Sequence, residues 1–193
     1  MAGPSHRERL VRAILDAVAD KGYEKTTVAD IVARARVSRR TFYEHFKDKA
    51  DAFLAAYDDG VKRLLDRLDE ASAATAAADW REAVRAELRA YLEVLEGDPS
   101  LAWCLHVEVL AAGRTALRRR VATIAAFSER MLELYERGRE EERLPVLPGD
   151  VFDIHAGGLD ELLRAHLRRE GAKDLHKLAE PLALATLAMF DRG

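Results

Sequence analysis

The chain has 193 residues, 49% hydrophobic and 34% charged, with a formal net charge of -3. It is long enough to bury a core without staples, and its balance excludes both a disordered chain and a membrane-embedded one. No apolar run approaches the roughly 20 residues of a spanning helix. The opening MAGPSHRERL has no apolar stretch behind its charges, so no secretory signal is expected. The single cysteine, Cys104, excludes an internal disulfide framework and fits a reducing cytoplasm. The charge is divided unevenly: residues 1–50 carry +4 and residues 51–193 carry -7. A small cationic head on an acidic body points to an anionic partner for the head.

Helical periodicity runs through nearly the whole chain, and the residue usage favours helix. Ser5-x-x-Glu8 reads as a capping box that opens a first helix, closed by Gly22. Thr27-x-x-Asp30 caps a short second helix, Ser38 a third, and Asp48 a long amphipathic one through about Ala71. ASAATAAAD reads as a loop or frayed turn before another box, Asp79-x-x-Glu82. Asp98-Pro99 starts a helix predicted to end near Gly113, because Pro fits the first helical position. A long helix is expected over about 115–142, and RLPVLPG then breaks the chain. Asp150 opens the next helix, ended by Gly171, and Asp174 opens the last, which Pro181 either kinks or splits. The reading is all-α, with about nine helices and no internal repeats.

The chemically informative stretch is TTVADIVARARVSRRTFYEHFKDKAD. Two short apolar-faced helices joined by a turn of about four residues form a helix-turn-helix, whose second helix enters the major groove. Val28, Ile31, Val32, Ala35, Val37, Phe42 and Phe46 should face inward onto Ile14 and Val18. Arg39, Arg40, Tyr43 and Glu44 then face outward. Arginine is the commonest reader of guanine edges, and hydroxyl and cationic groups hold phosphates. Thr26, Thr27, Ser38, Thr41, Tyr43, His45, Lys47 and Lys49 supply such groups nearby.

VSRRTFYEHFKDKADAF closely resembles the signature of the TetR family of bacterial transcriptional repressors. Val37, Ser38, Thr41, Phe42, Tyr43, His45, Phe46 and Lys49 match in register, and the likeness extends over roughly residues 5–55. The resemblance implies a three-helix DNA-binding domain at 1–50 and a helical ligand-binding and dimerisation domain at 51–193. Carried over, Thr27, Thr41, Tyr43, His45 and Lys49 fall where the family grips phosphates, and Arg39 and Arg40 where it faces base edges. Ser38 caps the recognition helix within the same surface. Where the family often has Gly at the turn, this chain has Arg36. A left-handed backbone there would cost a non-Gly residue about 1 kcal/mol while adding a cation near the phosphates.

The body holds no catalytic constellation. Cys104 and His106 point about 200° apart on a helix and cannot pair as nucleophile and base. His155, His166 and His176 lack metal-ligand spacing. No metal, cofactor or catalytic residue is expected, and the chain is read as no enzyme. In the family such helices surround a ligand cavity, and Trp103, His106, Phe127, Met131 and His155 are the expected lining of a small-molecule effector site. The last two helices are expected to form a homodimer, through Leu159, Leu162, Leu163, His166 and Leu167 on one and Leu178, Leu182, Thr186 and Met189 on the other. Gly157-Gly158 would admit a close helix approach.

The function expected is a cytoplasmic, ligand-relieved repressor that binds a near-palindromic double-stranded DNA operator as a homodimer, away from any membrane. The alternative is an all-helical interaction module without specific DNA binding.

Overall fold

A computed structural model describes residues 3–75 and 79–190. Nine α-helices and no strands occur among them: α1 (His6–Lys21), α2 (Val28–Ala35), α3 (Arg39–His45), α4 (Lys49–Ala74), α5 (Trp80–Gly97), α6 (Pro99–His106), α7 (Arg114–Glu142), α8 (Gly149–Glu170) and α9 (Ala179–Phe190). Local capping sets most of these starts. The Ser5–Glu8 and Thr27–Asp30 boxes are both reciprocal, and Ser38, Asp48, Asp79 and Asp98 each accept from the backbone N–H three residues on. Such caps satisfy donors that the first helical turn leaves open. Lys21 and Thr27 hold the Asp30 carboxyl far below the usual carboxylate range. Glu82 completes only half of its box, because its carboxylate turns to Arg89, 2.5 Å away.

Three segments differ from the sequence expectation, the first for a tertiary reason. The helix from Pro99 stops at His106, not near Gly113, and a 3-10 turn follows at Glu108–Leu110. Glu108 there accepts from the Tyr23 backbone N–H at 2.7 Å and from the Trp103 indole at 3.1 Å, which draws the chain off the helical path. Asp150 does not cap α8; the helix begins at Gly149 after Pro148, and Asp150 lies in the first turn, where a carboxylate favours the helix dipole. Asp174 adopts a left-handed backbone with φ 60° and opens only a 3-10 turn, Leu175–Leu178. Pro181 therefore sits in the first turn of a separate α9, and the closing segment is split rather than kinked. Of the expected ASAATAAAD loop, residues 71–74 continue α4, Thr75 turns, and Ala76–Ala78 lie outside the described residues.

Helices α1–α3 form the head and α5–α9 the bulk of the body, with α4 running from one to the other. One hydrophobic core joins them, from Leu10 and Ile14 through Phe53 and Leu64 to Phe152 and Phe190. Helix α6 lies along α1, where Cys104 is fully buried and its thiol points at the Leu15 carbonyl, 3.6 Å away. At the far end Trp80, Tyr135, Phe152 and Phe190 pack edge-on and stacked, and the Tyr135 hydroxyl donates to the Pro145 carbonyl at 2.7 Å. Gly138 of α7 faces the Trp80 indole so closely that any Cβ would overlap the ring.

Gly138→Ala should therefore lower the melting temperature, with an overpacking cost of about 1–3 kcal/mol outweighing the roughly 1 kcal/mol of helix propensity gained. Gly157→Ala, where nothing lies within 4 Å of the added carbon, should raise it. Thermal denaturation followed by circular dichroism checks both signs.

Candidate nucleic-acid interface and effector cavity

The turn between α2 and α3 is built by Arg36, whose backbone is left-handed at φ 53° and ψ 50°. The Arg36 N–H donates to the Ala33 carbonyl at 3.3 Å and the Val37 N–H to the Val32 carbonyl at 3.1 Å. This is the paired ending of a Schellman cap, and it turns the chain sharply into α3. Phe42 and Phe46 are buried against Leu10, Ile14, Ile31 and Val32. With that face of α3 fixed inward, Arg39, Arg40 and Tyr43 project outward, Tyr43 at 59% exposure. Arg40 is 89% exposed and donates to Glu44 at 3.1 Å. Thr27, Arg36, Ser38 and His45 are also exposed, and Thr41 is half-buried beside the Ser38 hydroxyl at 2.9 Å. Most of the sequence-named residues of the head are thus exposed; the exceptions are Thr26, which is buried with its hydroxyl near the Ala17 and Gly22 carbonyls, and Lys49. Its ammonium donates to the Tyr23 carbonyl at 2.7 Å and lies 4.2 Å from the Tyr23 ring centre. Lys49 ties the α1–α2 turn to the start of α4.

The body encloses a mostly apolar cavity of about 100 Å³ between α4, α5, α6, α7, α8 and α9. Four of the five residues named from the sequence line it: His106, Phe127, Met131 and His155. Trp103 does not. Its indole is committed to Glu108 at 3.1 Å.

Sequence reasoning missed the cavity's charges. Asp160 of α8 accepts from His106 Nδ1 at 2.9 Å, from Arg164 at 3.0 Å and from Arg120. Burial raises the Asp160 carboxyl, and His106 and Arg120 more than reverse it, so it stays below the usual range. With Nδ1 donating to that carboxylate, His106 Nε2 is left to accept from the Tyr91 hydroxyl, 3.2 Å away. At the other end Glu87 of α5 pairs with Arg130 of α7 at 2.7 and 3.0 Å. A signal existed: Glu87 falls within the spacing Val84, Leu88, Tyr91, and Asp160 within Ala156, Leu163. Charges on an apolar stripe must be buried with partners.

The expected dimer stripes belong to the chain's own core. Leu163, His166, Leu167, Leu182 and Thr186 are buried within the single chain, and Leu159, Leu178 and Met189 pack against its core. Leu162 alone of that set is exposed. The face that α8 and α9 turn outward carries Ile154, Gly158, Leu162, Leu184, Ala185 and Ala188 instead. The apolar stripes were read correctly, but a body that must cover its own cavity takes them first.

Architecture and surface together define an all-α helix-turn-helix protein. Residues 10–56 match the family described as "Bacterial regulatory proteins, tetR family". It is 41% identical over 63 residues to "Transcriptional regulator AcuR" of Cereibacter sphaeroides, a stretch that is 31% of this chain. The chain thus spans only 29% of the length of that relative. The fold is similar to that of the fatty acid degradation regulator FadR from Bacillus halodurans, with TM-score 0.85 and 20% identity over 97% of both chains. It is also similar to transcriptional regulator FadR from Bacillus subtilis, solved in complex with stearoyl-CoA, with TM-score 0.83 and 17% identity over 94% of this chain and 97% of that one.

His155 supplies a pH dependence. Its Nε2 lies 2.8 Å from the Thr186 hydroxyl, which itself donates to the Leu182 carbonyl, so the imidazole is the donor of the pair. Burial pushes its pKa down to about 4, whereas the unfolded chain titrates near 6.5. Above pH 6.5 the group costs nothing; as pH falls from 6.5 toward 4 the unfolded state gains the proton and the fold loses stability. Urea unfolding of wild type and His155→Gln should differ by about 2 kcal/mol in their loss between pH 7 and pH 5, with the variant the flatter.

Proposed function

We propose that the chain is a ligand-relieved transcriptional repressor, with residues 1–50 binding DNA and residues 51–193 binding an effector and dimerising, acting in the cytoplasm. The observation that carries this reading is the orientation of α3. Phe42 and Phe46 are locked into the core, which leaves Arg39, Arg40 and Tyr43 exposed on the opposite face beside a helix-turn-helix bend. That is the presentation a recognition helix needs in the major groove, and the +4 charge of residues 1–50 adds the phosphate attraction on which affinity depends. The outward face of α8 and α9, small and apolar at Ile154, Gly158, Leu162, Leu184 and Ala188, supports a two-fold pairing of chains. Such a dimer offers two α3 helices to successive grooves, so the operator is a near-palindrome.

The effector reading rests on the cavity and is helped by the relative solved with stearoyl-CoA. At about 100 Å³ the chamber is smaller than the roughly 300–1,000 Å³ of typical ligand sites. A long acyl chain entering it must move the surrounding helices apart. Because α4 walls the cavity and also begins next to α3, that movement re-spaces the heads of a dimer. The ligand then binds the DNA-free spacing more tightly, and operator DNA weakens ligand binding by the same factor.

Gel shifts on the DNA upstream of its own coding sequence test the reading. Tyr43→Ala should weaken binding to all sequences. Arg40→Ala should also relax the preference at one base position by about 1–3 kcal/mol. Arg36→Gly should raise thermal stability by about 1 kcal/mol and, if the cation touches phosphate, reduce the salt slope by about one unit. Binding that is weak and indifferent to Tyr43 and Arg40 would mark an interaction module instead.

A further inference from the structure

Residues 26–51 hold four acidic side chains, and three of them have structural posts. Asp30 closes the capping box of α2 and pairs with Lys21 at 2.6 Å. Asp48 caps α4, and Asp51 accepts from the Lys47 backbone N–H at 2.9 Å. Glu44 is the fourth. It lies on the outward face of α3 with 54% of its side chain exposed, and it accepts from Arg40 Nε at 3.1 Å, one turn back. Helix stability does not account for this pair. An exposed ion pair contributes little. In α3 the base is the second residue and the acid the last but one, so each stands at the end that the helix dipole disfavours. An acid four residues ahead of its base supports a helix better than this reverse order. A carboxylate on this face also repels the phosphates that the head attracts.

We propose that Glu44 is a positioning residue for base recognition: it holds Nε of Arg40, so that the Nη1–Nη2 end of the guanidinium meets one guanine edge. The proposal rests on the reading of α3 as the recognition helix and adds a residue that sharpens its base preference. A guanidinium can offer a pair of N–H donors to guanine O6 and N7 either from its side, through Nε, or from its tip. Glu44 occupies the side and leaves the tip in solvent, where the Arg40 side chain is 89% exposed. An unheld arginine gives up the freedom of a long side chain when it binds, and it reaches phosphates and neighbouring base pairs equally well. In a held one, part of that ordering is already complete in the free protein. Arg39 supplies the contrast. It is exposed on the same helix, and the positions three and four residues on are Phe42 and Tyr43, so no acid of α3 stands one turn ahead of it. Tyr43 is braced in another way, its ring edge-on to the buried Phe42 with 5.3 Å between centres.

Selection of duplexes from a randomised pool by the full chain tests the assignment, followed by titration of the selected duplex, its single-base-pair variants and an unrelated duplex. Arg40→Ala identifies the base pair that Arg40 reads. Glu44→Ala should lower the preference at that same base pair by about two- to tenfold, the factor that ordering one long side chain represents, and should tighten binding to the unrelated duplex. Added to Arg40→Ala, it should change that preference no further, whereas its effect should add to that of Arg39→Ala. Glu44→Gln keeps an acceptor at the same reach and should restore most of the preference. Glu44→Ala should melt no lower than wild type, which separates lost recognition from lost folding. Equal tightening on the selected and unrelated duplexes would mark Glu44 as a repelling charge alone and overturn the proposal. Relaxation at a different base pair, or further relaxation in the double variant, would make Glu44 a reader in its own right and overturn it too. A selective wild type whose preference survives Arg40→Ala overturns the proposal and leaves the regulator reading standing. A wild-type chain without preference for any duplex strikes that reading, and the proposal with it.

Discussion

The side chain of Asp98 joins three parts of the molecule that must move together. It caps α6 through the Leu101 N–H at 3.1 Å, accepts from Arg12 of α1 at 2.7 Å and accepts from Arg63 of α4 at 3.2 Å. Only 11% of this side chain is exposed, so its charge relies on those partners. One carboxylate therefore fixes the head helix, the connecting helix and the start of the rod that ends at His106 in the cavity. Glu108 repeats the arrangement just beyond the other end of that rod by holding the Tyr23 backbone. The head is docked to the body at both ends of α6, and through Gly60, whose missing side chain lets α4 close on Leu101.

This docking gives the cavity a mechanical context. An apolar chamber within one continuous core is costly to expand, because close-packed interiors shift between discrete arrangements more readily than they stretch. The charges at its two ends sharpen the choice. Asp160 is enclosed by His106, Arg120 and Arg164 and acts as a fixed post. Glu87 and Arg130 depend chiefly on each other, with Asp69 as a further partner of Arg130.

Much of this was legible in the residues, because the informative signals were local. Helix starts at Ser5, Thr27, Ser38, Asp48, Asp79 and Asp98 need only a short side chain and a donor three positions on. The left-handed Arg36 was readable from a turn that usually calls for glycine. What escaped was decided by distant partners. The early stop of α6 depends on Glu108 meeting a turn 85 residues earlier. The bond from the Lys49 ammonium to the Tyr23 carbonyl joins positions 26 residues apart. The apolar stripes of α8 and α9 were visible, yet periodicity does not say whether a stripe covers its own chain or another copy. Glu87, Arg130 and Asp160 were hidden among the many surface charges of these helices, and only their place on apolar stripes set them apart.

The lone thiol of Cys104 lies in the seam between α1 and α6, and burial pushes it far above the ordinary thiol range. While the seam stays shut the sulfur is neither nucleophilic nor reachable, so the protein should be indifferent to mild oxidants. Any event that parts the two helices uncovers it. The molecule thus carries a native chemical clock, in which the rate of alkylation counts how often the reading head lifts away from its support.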